Sequence, residues 1–430
     1  MAFKLEGPET EEEQQVRQET HRFAKDVLRP ASLKLDKLDP QSVIAKDSVL
    51  WDVFRTWYGQ ANHVSTQVAS ADIGASSNLY ANCIVFEELG WGAADLAISL
   101  GVAGFPFELA TPIATLMGNQ QLLDEIIEPF HKDREGKIIG CWAITEPGHG
   151  SDTLGVGTDP FYKPETAGNC RARQDGSDWI ISGQKSAWVS NGTIATHALL
   201  FCTIEPTLGM AGGGVFIVPL DGSNVKRGNA LDKLGQRALN QGEIYFDDVR
   251  VPAGFLLGGP ELYPVLLRAT LASANSGMGV IFSGLARAAF EEALDYSRNR
   301  VQGGKTIADH QMIQGKLFDM FKMVQMANIY SKQAFLNNAI NAATDILNNL
   351  ADPTAHLPAL AHCIASKVTS TQIAYEVSHN SIQVFGGMGL AKETVIEKLF
   401  RDARAALIED GVNEFLGLVG AKQIIESYKI

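Results

Sequence analysis

The spacing of the apolar residues changes twice along this 430-residue chain, and that succession limits what it can fold into. Up to about residue 130 the apolar positions follow the helical repeat, most clearly over 10–36 and over 78–99, where Gly90 interrupts the stripe. Between about 135 and 255 the apolar segments are short, rich in β-branched and aromatic residues, and bounded by Gly, Pro, Asp or Asn. From about residue 260 the helical repeat returns.

This order of periods predicts an α+β protein with three domains. We expect an N-terminal α-helical domain over 1–134, a middle β domain over 135–255 and a C-terminal helical domain over 256–430. The strand spacing in the middle domain is typical of a small antiparallel barrel or sandwich. A composition with 45% hydrophobic and 20% charged residues can supply the core of such a fold.

The net charge and the cysteine pattern indicate which binding partners and which cellular compartment to expect. The net charge of −13 argues against nucleic acid or an anionic membrane as the main partner. The chain starts MAFKLEGPETEEEQQ, which is acidic where a signal peptide is apolar, and no run of about 18 apolar residues occurs. Five scattered cysteines without a C-x-x-C pair predict neither a disulfide framework nor zinc. We expect a cytoplasmic protein with no signal peptide and no membrane span.

Several common catalytic motifs can be set aside. The nine histidines are dispersed and none forms H-x-x-x-H with an acid nearby, so no metal site is expected. The GGKT segment at 303–306 is not a P-loop, because Asn299 occupies the position of the first glycine. The GGMGLA segment at 386–391 does not follow a strand, which argues against a dinucleotide fold. Ser151 lies in GHGSD rather than in G-x-S-x-G, so a catalytic triad is not favoured.

Two glycine-flanked stretches remain as candidate ligand sites. In TEPGHGSD at 145–152, one proline and two glycines predict a loop that exposes backbone N–H groups and the hydroxyls of Thr145 and Ser151. In QKSAWVSNG at 184–192, Trp188 and Ser190 are two residues apart and share one face of a strand. Trp188 could lie against an aromatic cofactor beside the Ser190 hydroxyl, or it could be a core residue next to a turn serine.

Six segments in this order resemble the signatures of the acyl-CoA dehydrogenase flavoprotein family. They are TEPGHGSD (145–152), GQKSAWVSNG (183–192), KLGQRALNQGEIYFDDVRVPAGFLLG (233–258), RNRVQGGKTIADHQ (298–311), IQVFGGMGL (382–390) and RDAR (401–404). The first matches the family pattern T-E-P-x-x-G-S-D at every fixed position. The resemblance covers nearly the whole chain.

The resemblance implies a fold, a cofactor and an assembly. The middle domain would be an antiparallel β-barrel, the C-terminal domain a four-helix bundle, and the chain a homotetramer. FAD would lie between these two domains and reach a neighbouring subunit. By motif, the residues that would hold the isoalloxazine ring are Thr145, Trp188 and Ser190, and Ser151 would face flavin and substrate. The adenosine-diphosphate end would be contacted by Arg300, Gln302 and His310. The FAD of the neighbouring subunit would be contacted by Gln383, Gly386 and Gly387.

The segment RDARAALIEDGVNE at 401–414 holds the candidate base. The family typically reads R-D-A-R…I-Y-E-G-T here, and its glutamate removes the α-proton of the thioester. Asp410 falls at that glutamate, Glu409 at the tyrosine and Gly411 at the glycine. The resemblance therefore implies Asp410 as the base, with Glu409 as the rival. An aspartate reaches about 1.5 Å less far than a glutamate. A plain reading of the same residues is a helix end that faces water.

Two further departures from the family pattern affect the substrate side. Asn275 stands where many family members carry an arginine near the base, so we place Asn275 with Ser151 and Gly411 among the substrate-binding residues. The stretch DPFYKPETAGN at 159–169 is longer than the usual hairpin of the β domain. It could reshape the substrate entrance, or it could be a tolerated surface insertion.

The function implied is FAD-dependent α,β-dehydrogenation of an acyl-CoA thioester in fatty acid metabolism. Asp410 would take the α-proton, the hydride would pass to flavin N5, and an electron-transfer flavoprotein would take the electrons. One alternative is a nitroalkane-oxidase-like flavin oxidase, because DGVN (410–413) and LARAAFEEAL (285–294) resemble that branch. The others are β-elimination or desulfination of a CoA thioester, and a flavoprotein without catalysis.

Overall fold

The computed structural model describes residues 9–60, 76–351, 358–428 and 430. The N-terminal region is helical, as predicted. Helix α1 (Glu11–Phe23) starts at a reciprocal cap, in which Glu13 N donates to Thr10 Oγ1 and Thr10 N donates to Glu13 Oε2. The other helices are α2 (Arg29–Leu35), α3 (Pro40–Val43), α4 (Val49–Gln60), α5 (Ser76–Gly92), α6 (Ala94–Met117), α7 (Gln120–Leu122) and α8 (Glu128–Lys132). A π-helical turn (Ala24–Leu28) joins α1 to α2.

The middle region is one open, mixed sheet. Its strands are β1 (Gly140–Ala143), β2 (Arg171–Asp175), β3 (Asp178–Ser190), β4 (His197–Thr203), β5 (Gly213–Pro219), β6 (Val225–Arg227), β7 (Gln241–Val251) and β8 (Leu256–Gly258). Seven of them lie in the order β6-β7-β3-β2-β4-β5-β8, and β1 pairs with β4.

The prediction of a closed antiparallel barrel is wrong. The two end strands, β6 and β8, have three residues each and, in the part of the chain that the structure describes, do not pair with each other. A barrel needs every edge paired with a consistent stagger, which such short ends do not provide. The sheet is also not purely antiparallel, because β1 and β4 run parallel with Gly140 opposite His197. The long connection between them, which contains the β2–β3 hairpin, allows this parallel pairing.

The C-terminal region is helical again. Its helices are α9 (Tyr263–Asn299), α10 (Gln311–Ala351), α11 (Pro358–Phe385), α12 (Val395–Ala406) and α13 (Asn413–Ser427). A small hairpin, β9 (Val301–Gln302) and β10 (Lys305–Thr306), follows α9. Helices α9 and α11 pack side by side along their lengths, with Gly279 opposite Ser366 and with the rings of Tyr296 and Phe385 stacked 4.1 Å apart.

One continuous hydrophobic core runs through all three regions and includes Phe107, Phe201, Phe282 and Leu399. Helices α6 and α9 are long and apolar enough to cross a membrane by length and composition, but most of each apolar window is buried against other elements, as in core helices. The last N-terminal helix ends at Lys132 and β8 extends to Gly258. The domain boundaries at 134/135 and 255/256 stay predictions.

Candidate functional site

The candidate base lies in the short connection between α12 and α13. The chain leaves α12 after Ala406, and Asp410 and Gly411 both adopt left-handed backbone conformations, with φ of 52° and 98°. Aspartate tolerates this conformation better than most residues. A Cβ on Gly411 would lie within 2.9 Å of side-chain carbons of both Leu154 and Leu416. The tight turn therefore requires glycine at 411 and points the connection back across α11.

The predicted loop 145–152 meets this connection. Val412 N donates a hydrogen bond to Ser151 Oγ at 3.1 Å, and Leu154 of the following turn packs against Gly411. The structure thus brings Ser151 next to Gly411 and Asp410, although these residues are about 260 positions apart in sequence.

Asn275 reaches the same place from helix α9. Its side chain is fully buried, and its Nδ2 lies 3.5 Å from the backbone carbonyl oxygen of Asp410. Its Oδ1 is buried and has no hydrogen-bond partner among the described residues. Because a buried amide oxygen normally accepts a hydrogen bond, this atom marks room for a donor supplied by a ligand or a water molecule.

The two adjacent acids have different surroundings. Gln236 Nε2 donates to Glu409 Oε1 at 2.5 Å, and Gln236 is itself held by its backbone N–H, which donates to Asp402 Oδ1. Burial and the neighbouring Asp410 charge raise the pKa of Glu409 to about 7, although the bond from Gln236 and the charges of Lys367 and Lys233 oppose the shift. Glu409 is therefore a fixed, easily protonated carboxyl group.

Asp410 is held less tightly. Within the described part of the chain no donor bonds to its carboxylate oxygens, and the residue keeps some of its surface accessible. Burial raises the pKa of Asp410, and the positive charge of Lys367 opposes that shift. The predicted helix end is real, since α12 stops just before the pair. The acids, however, lie against protein rather than on an open surface.

Sequence reasoning missed the lysine under this turn. Lys367 lies in the middle of α11, and its Nζ donates to the Gly411 carbonyl at 2.8 Å and to Asn413 Oδ1 at 2.7 Å. Burial lowers the pKa of Lys367 to about 8, against the attraction of Asp410, Glu409 and Glu414. A lysine inside the helix segment CIASKVTS was the signal that could have found it, because lysine is seldom fully buried.

The RDAR segment fixes the connection between α12 and α13, which carries Asp410 and is called the base connection below. In the residues that the structure describes, it does not contact the place where a substrate would bind. Arg401 forms a two-pronged salt bridge with Asp36 at 2.9 and 2.7 Å, which ties α12 to the N-terminal region. Asp402 pairs with Lys398, and Lys398 also meets Asp95 of α6 at 2.8 Å. These contacts fix the end of α12 from two sides.

The predicted ring-binding residues lie together on the sheet side. Thr145 Oγ1 lies 2.8 Å from Ser186 Oγ, which joins the loop to strand β3. Further along β3, the side chain of Trp188 is 61% exposed, so it is not a core residue. Gln241 Nε2 donates to Ser190 Oγ at 3.2 Å from the adjacent strand. An exposed tryptophan beside hydroxyl groups is a suitable surface for a planar aromatic ligand.

The remaining predicted cofactor residues form a second group at the far end of α9. Its members are Arg300, Gln302, His310, Gln383, Gly386 and Gly387. His310 Nε2 lies 3.0 Å from the Gln302 carbonyl oxygen, and the Tyr296–Phe385 stack joins the ends of α9 and α11. Asn275 precedes the end of α9 at Asn299 by 24 residues, which corresponds to about 36 Å of helix. Within one chain, the second group therefore lies far from Asn275 and from the Asp410 turn that Asn275 contacts.

The insertion at 159–169 is an ordered part of the protein. Its two short 3₁₀ turns run over Asp159–Tyr162 and Pro164–Thr166, and Phe161 is buried beside Tyr263 at the start of α9. Tyr162 remains half exposed. In the described residues no group of three or more His, Cys, Asp or Glu side chains could hold a metal ion.

Comparison with known proteins agrees with this arrangement. Two family models match, the acyl-CoA dehydrogenase middle domain over residues 141–249 and the acyl-CoA dehydrogenase C-terminal domain over residues 267–425. The chain is 30% identical over 427 residues to the short-chain specific acyl-CoA dehydrogenase, mitochondrial, of Rattus norvegicus, with 99% of this chain and 92% of the relative covered. It is 28% identical over 427 residues to the cyclohexane-1-carbonyl-CoA dehydrogenase of Geobacter metallireducens, with 97% and 98% covered.

The fold has a close counterpart among solved structures. Butyryl-CoA dehydrogenase from Megasphaera elsdenii aligns with a TM-score of 0.80 at 22% identity, over 98% of this chain and 100% of that chain. The sequence relatives and the shared three-part fold agree with the motifs read from the sequence. The chain belongs to the acyl-CoA dehydrogenase family.

Proposed function

We propose that this chain dehydrogenates an acyl-CoA thioester between its α and β carbons, with Asp410 as the base. The observation that carries the proposal is the contrast between the adjacent acids. Glu409 is bonded by Gln236, whereas Asp410 has a carboxylate without a protein donor, lies beside Ser151 and has a pKa raised by burial. A base that must accept a proton from carbon needs a free oxygen and a raised pKa.

Each residue around the Gly411 turn would have a separate role in the reaction. Asp410 takes the α-proton on a carboxylate oxygen, and the electron pair left on the α carbon forms the new double bond as a hydride leaves the β carbon. Asn275 Oδ1, buried without a donor, accepts a hydrogen bond from the bound substrate or from a water molecule beside it. Ser151 and the Gly411 turn keep Asp410 at a fixed distance from the loop that borders the substrate.

FAD fits the residues on the sheet side. Acyl-CoA dehydrogenases use FAD, and when bound it supplies the acceptor for the hydride. The exposed Trp188 offers a flat apolar surface to the ring system, and the hydroxyls of Thr145 and Ser190 offer hydrogen bonds at its edge. A core tryptophan would not provide this surface.

The assembly would be a homotetramer in which each FAD contacts two chains. The support is the distance of about 36 Å along α9 between Asn275 and the group that begins at Arg300, which exceeds the length of an extended dinucleotide. An electron-transfer flavoprotein would reoxidise the enzyme, in fatty acid metabolism. A cytoplasmic, reducing location accords with five cysteines that are all buried free thiols.

A flavin oxidase acting on nitroalkanes is the second candidate. The observation that favours it is the aspartate at the base position, within DGVN, in place of the family's glutamate. The preserved TEPGHGSD loop, whose Ser151 contacts the base connection, favours the CoA thioester. β-Elimination or desulfination of a CoA thioester would also use Asp410 as a base but would not reduce the flavin.

An anaerobic titration of the FAD-loaded protein tests the proposal. We expect loss of visible flavin absorbance with one or more of a panel of straight, branched and cyclic acyl-CoAs, with slow recovery in air. Loss of flavin absorbance with nitroethane alone, followed by rapid recovery in air with formation of peroxide, would identify the oxidase instead. An unchanged flavin spectrum, with release of a β-substituent or of a sulfinate group from an intact CoA thioester, would identify the altered chemistry.

The matched variants are Asp410→Asn and Glu409→Gln. Asp410→Asn should keep FAD but slow flavin reduction at least about 100-fold, because general-base catalysis contributes that much or more. Glu409→Gln keeps an acceptor for Gln236 and should reduce flavin within about tenfold of the unmodified rate. Reduction at the unmodified rate by Asp410→Asn would refute the base assignment.

A further inference from the structure

Lys367 differs from the other buried lysines of this protein in what it bonds. Four lysines are less than 5% exposed among the described residues: Lys185, Lys332, Lys367 and Lys398. Lys185 pairs with Glu146, Lys332 with Glu87, and Lys398 with Asp95 and Asp402. Lys367 forms no ion pair within 4 Å in the described part of the chain.

The bonds of Lys367 instead go to the turn after Asp410 and to the first residue of α13. Its Nζ donates to the Gly411 carbonyl and to Asn413 Oδ1, which are the residues one and three positions after Asp410. Asn413 Nδ2 in turn donates to Thr371 Oγ1, one turn further along α11. A buried ammonium group is costly without a carboxylate partner, so a structural role alone would be served better by a neutral side chain.

The geometry points to a role in the reaction. We propose that Lys367 is a positioning residue for the base: it holds the left-handed turn through Gly411 and Asn413, and its positive charge favours the ionised Asp410 carboxylate beside the substrate. The inference rests on the proposed function, in which Asp410 is the base.

The other charges around Asp410 agree with this role. Glu409 lies on the same connection and Glu414 lies in the first turn of α13, and both negative charges also attract Lys367. Lys233, from the segment before β7, faces Glu409. Lys367, from α11, is the cation that acts on Asp410 itself. Its pKa of about 8 leaves it charged at pH 7.

The test is the pH profile of kcat/KM for FAD-loaded Lys367→Met, with its acyl-CoA substrate. At low pH, kcat/KM falls as the base becomes protonated, and this acid limb of the profile reports the pKa of Asp410. Without the positive charge of Lys367, the acid limb should move to higher pH by at least about one unit, since a nearby opposite charge shifts a carboxyl pKa by about that amount or more. Activity near pH 6 should fall about tenfold more than activity on the plateau. Lys367→Arg should restore most of the original limb. A uniform loss at every pH, with the limb in place, would overturn the inference.

A second variant covers the case in which Lys367→Met does not fold or shows no turnover. Asn413→Asp keeps the acceptor for Lys367 and lies at the first position of α13, where an acid is tolerated. Its carboxylate neutralises the lysine, so the acid limb should again move up; an unmoved limb would overturn the inference. Lys332→Met removes a buried lysine elsewhere and should lower stability while leaving the limb unchanged.

The experiments distinguish a failure of the role proposed for Lys367 from a failure of Asp410 as the base. If Asp410→Asn abolishes flavin reduction while neither Lys367→Met nor Asn413→Asp moves the acid limb, the base assignment stands and the role of Lys367 falls. If Asp410→Asn reduces flavin normally, the base assignment falls, whatever the other variants do.

Discussion

At the scale of single residues, the site separates two neighbouring acids by what bonds to them. Glu409 is fixed by Gln236, whose own φ of 50° is maintained by Asp402. Asp410 has no such donor and faces the charge of Lys367 instead. The two adjacent carboxylates thus differ in their partners, which is one way for a site to hold a protonated acid next to a carboxylate that is free to act as a base.

The raised pKa of Glu409 gives a pH dependence of stability with a definite sign. Its folded-state pKa, about 7, lies above its ordinary value of 4.5, so the folded protein holds this proton more strongly. The contribution to stability is complete below about pH 4.5 and is lost as the pH rises through 7. Glu409→Gln should therefore gain stability over the unmodified protein between pH 5 and 8.

At about 1.4 kcal/mol per pKa unit, we expect a gain on the order of 3 kcal/mol at the upper end of this range, or a few degrees in Tm. Scanning calorimetry of both FAD-loaded proteins across this pH range measures the difference. When the scan is extended down to about pH 4, the two Tm values should agree, which provides an internal control. A constant difference at all pH values would mean that Glu409 does not titrate in this range.

Gly411 offers a sharper test of the turn. Alanine there would be strained by the φ of 98° and would collide with Leu154 and Leu416. Gly411→Ala should displace Asp410 and lower kcat/KM at least about tenfold, as small misplacements do. The matched control is Gly417→Ala on α13, where an added Cβ meets nothing within 4 Å. Equal activities of the two variants would remove the turn from the mechanism.

How much of this site the sequence predicted depends on the range of the contacts. Asp410, Ser151 and Asn275 could be named because each falls within a local motif. Lys367 and Gln236 could not be given roles, because they act through contacts 44 and 173 positions away. Periodicity describes which face of an element is apolar but does not report which distant residue a buried polar group meets.

At the scale of elements, Gly90 shows the same limit. The sequence predicts a break in the second helix there, yet α5 continues to Gly92. A Cβ on Gly90 would lie 2.0 Å from the Ile281 carbonyl oxygen of α9, and one on Gly284 would lie 2.1 Å from the Glu87 carbonyl oxygen of α5. The glycines let two helices cross closely, so they mark a packing contact rather than a helix end.

This crossing predicts a stability defect. Gly90→Ala should push α5 from α9 and lower the stability by about 1–3 kcal/mol, the usual cost of overpacking. Gly315→Ala, on the exposed face of α10 with nothing within 4 Å, should be neutral or stabilising, because alanine favours a helix more than glycine does. Thermal unfolding of both variants measures this. A Tm for Gly90→Ala at or above that of Gly315→Ala would contradict the close crossing.

The strands show where local patterns succeed. Four of the short apolar segments of the middle region, at 178–184, 197–204, 213–220 and 242–252, each lie in a strand or extend one residue beyond its end. Strand β2 was not predicted, because its sequence RARQD has one buried residue, Ala172, and is held by pairing with β3. The barrel was predicted wrongly for a related reason, since closure depends on edge strands that carry almost no local signal.

At the scale of the whole molecule, the distance between Asn275 and the second group of cofactor residues supports the proposal that a complete site takes residues from two chains. Asp410, Ser151 and Asn275 lie together beside the Gly411 turn, and Arg300 lies beyond the far end of α9. If FAD contacts both groups, it takes the first from one chain and the second from a neighbour. Symmetric assemblies repeat such a shared site in every subunit.

Complementation between two inactive variants tests this sharing. Asp410→Asn should bind FAD without turning over. Gly387→Asp places a charged side chain where its own chain leaves open space, so it should fold but lose FAD of the neighbouring site. When the two chains are co-expressed and assemble at random, about one site in four combines Asp410 of one chain with Gly387 of its neighbour. Tagged, purified mixed oligomers should therefore recover about a quarter of the unmodified kcat per chain.

The control is to mix the two variants after each has assembled separately. This mixture should recover little activity, because the chains do not exchange between assembled oligomers. Activity that stays at the background of the single variants in the co-expressed sample would place the whole cofactor site within one chain.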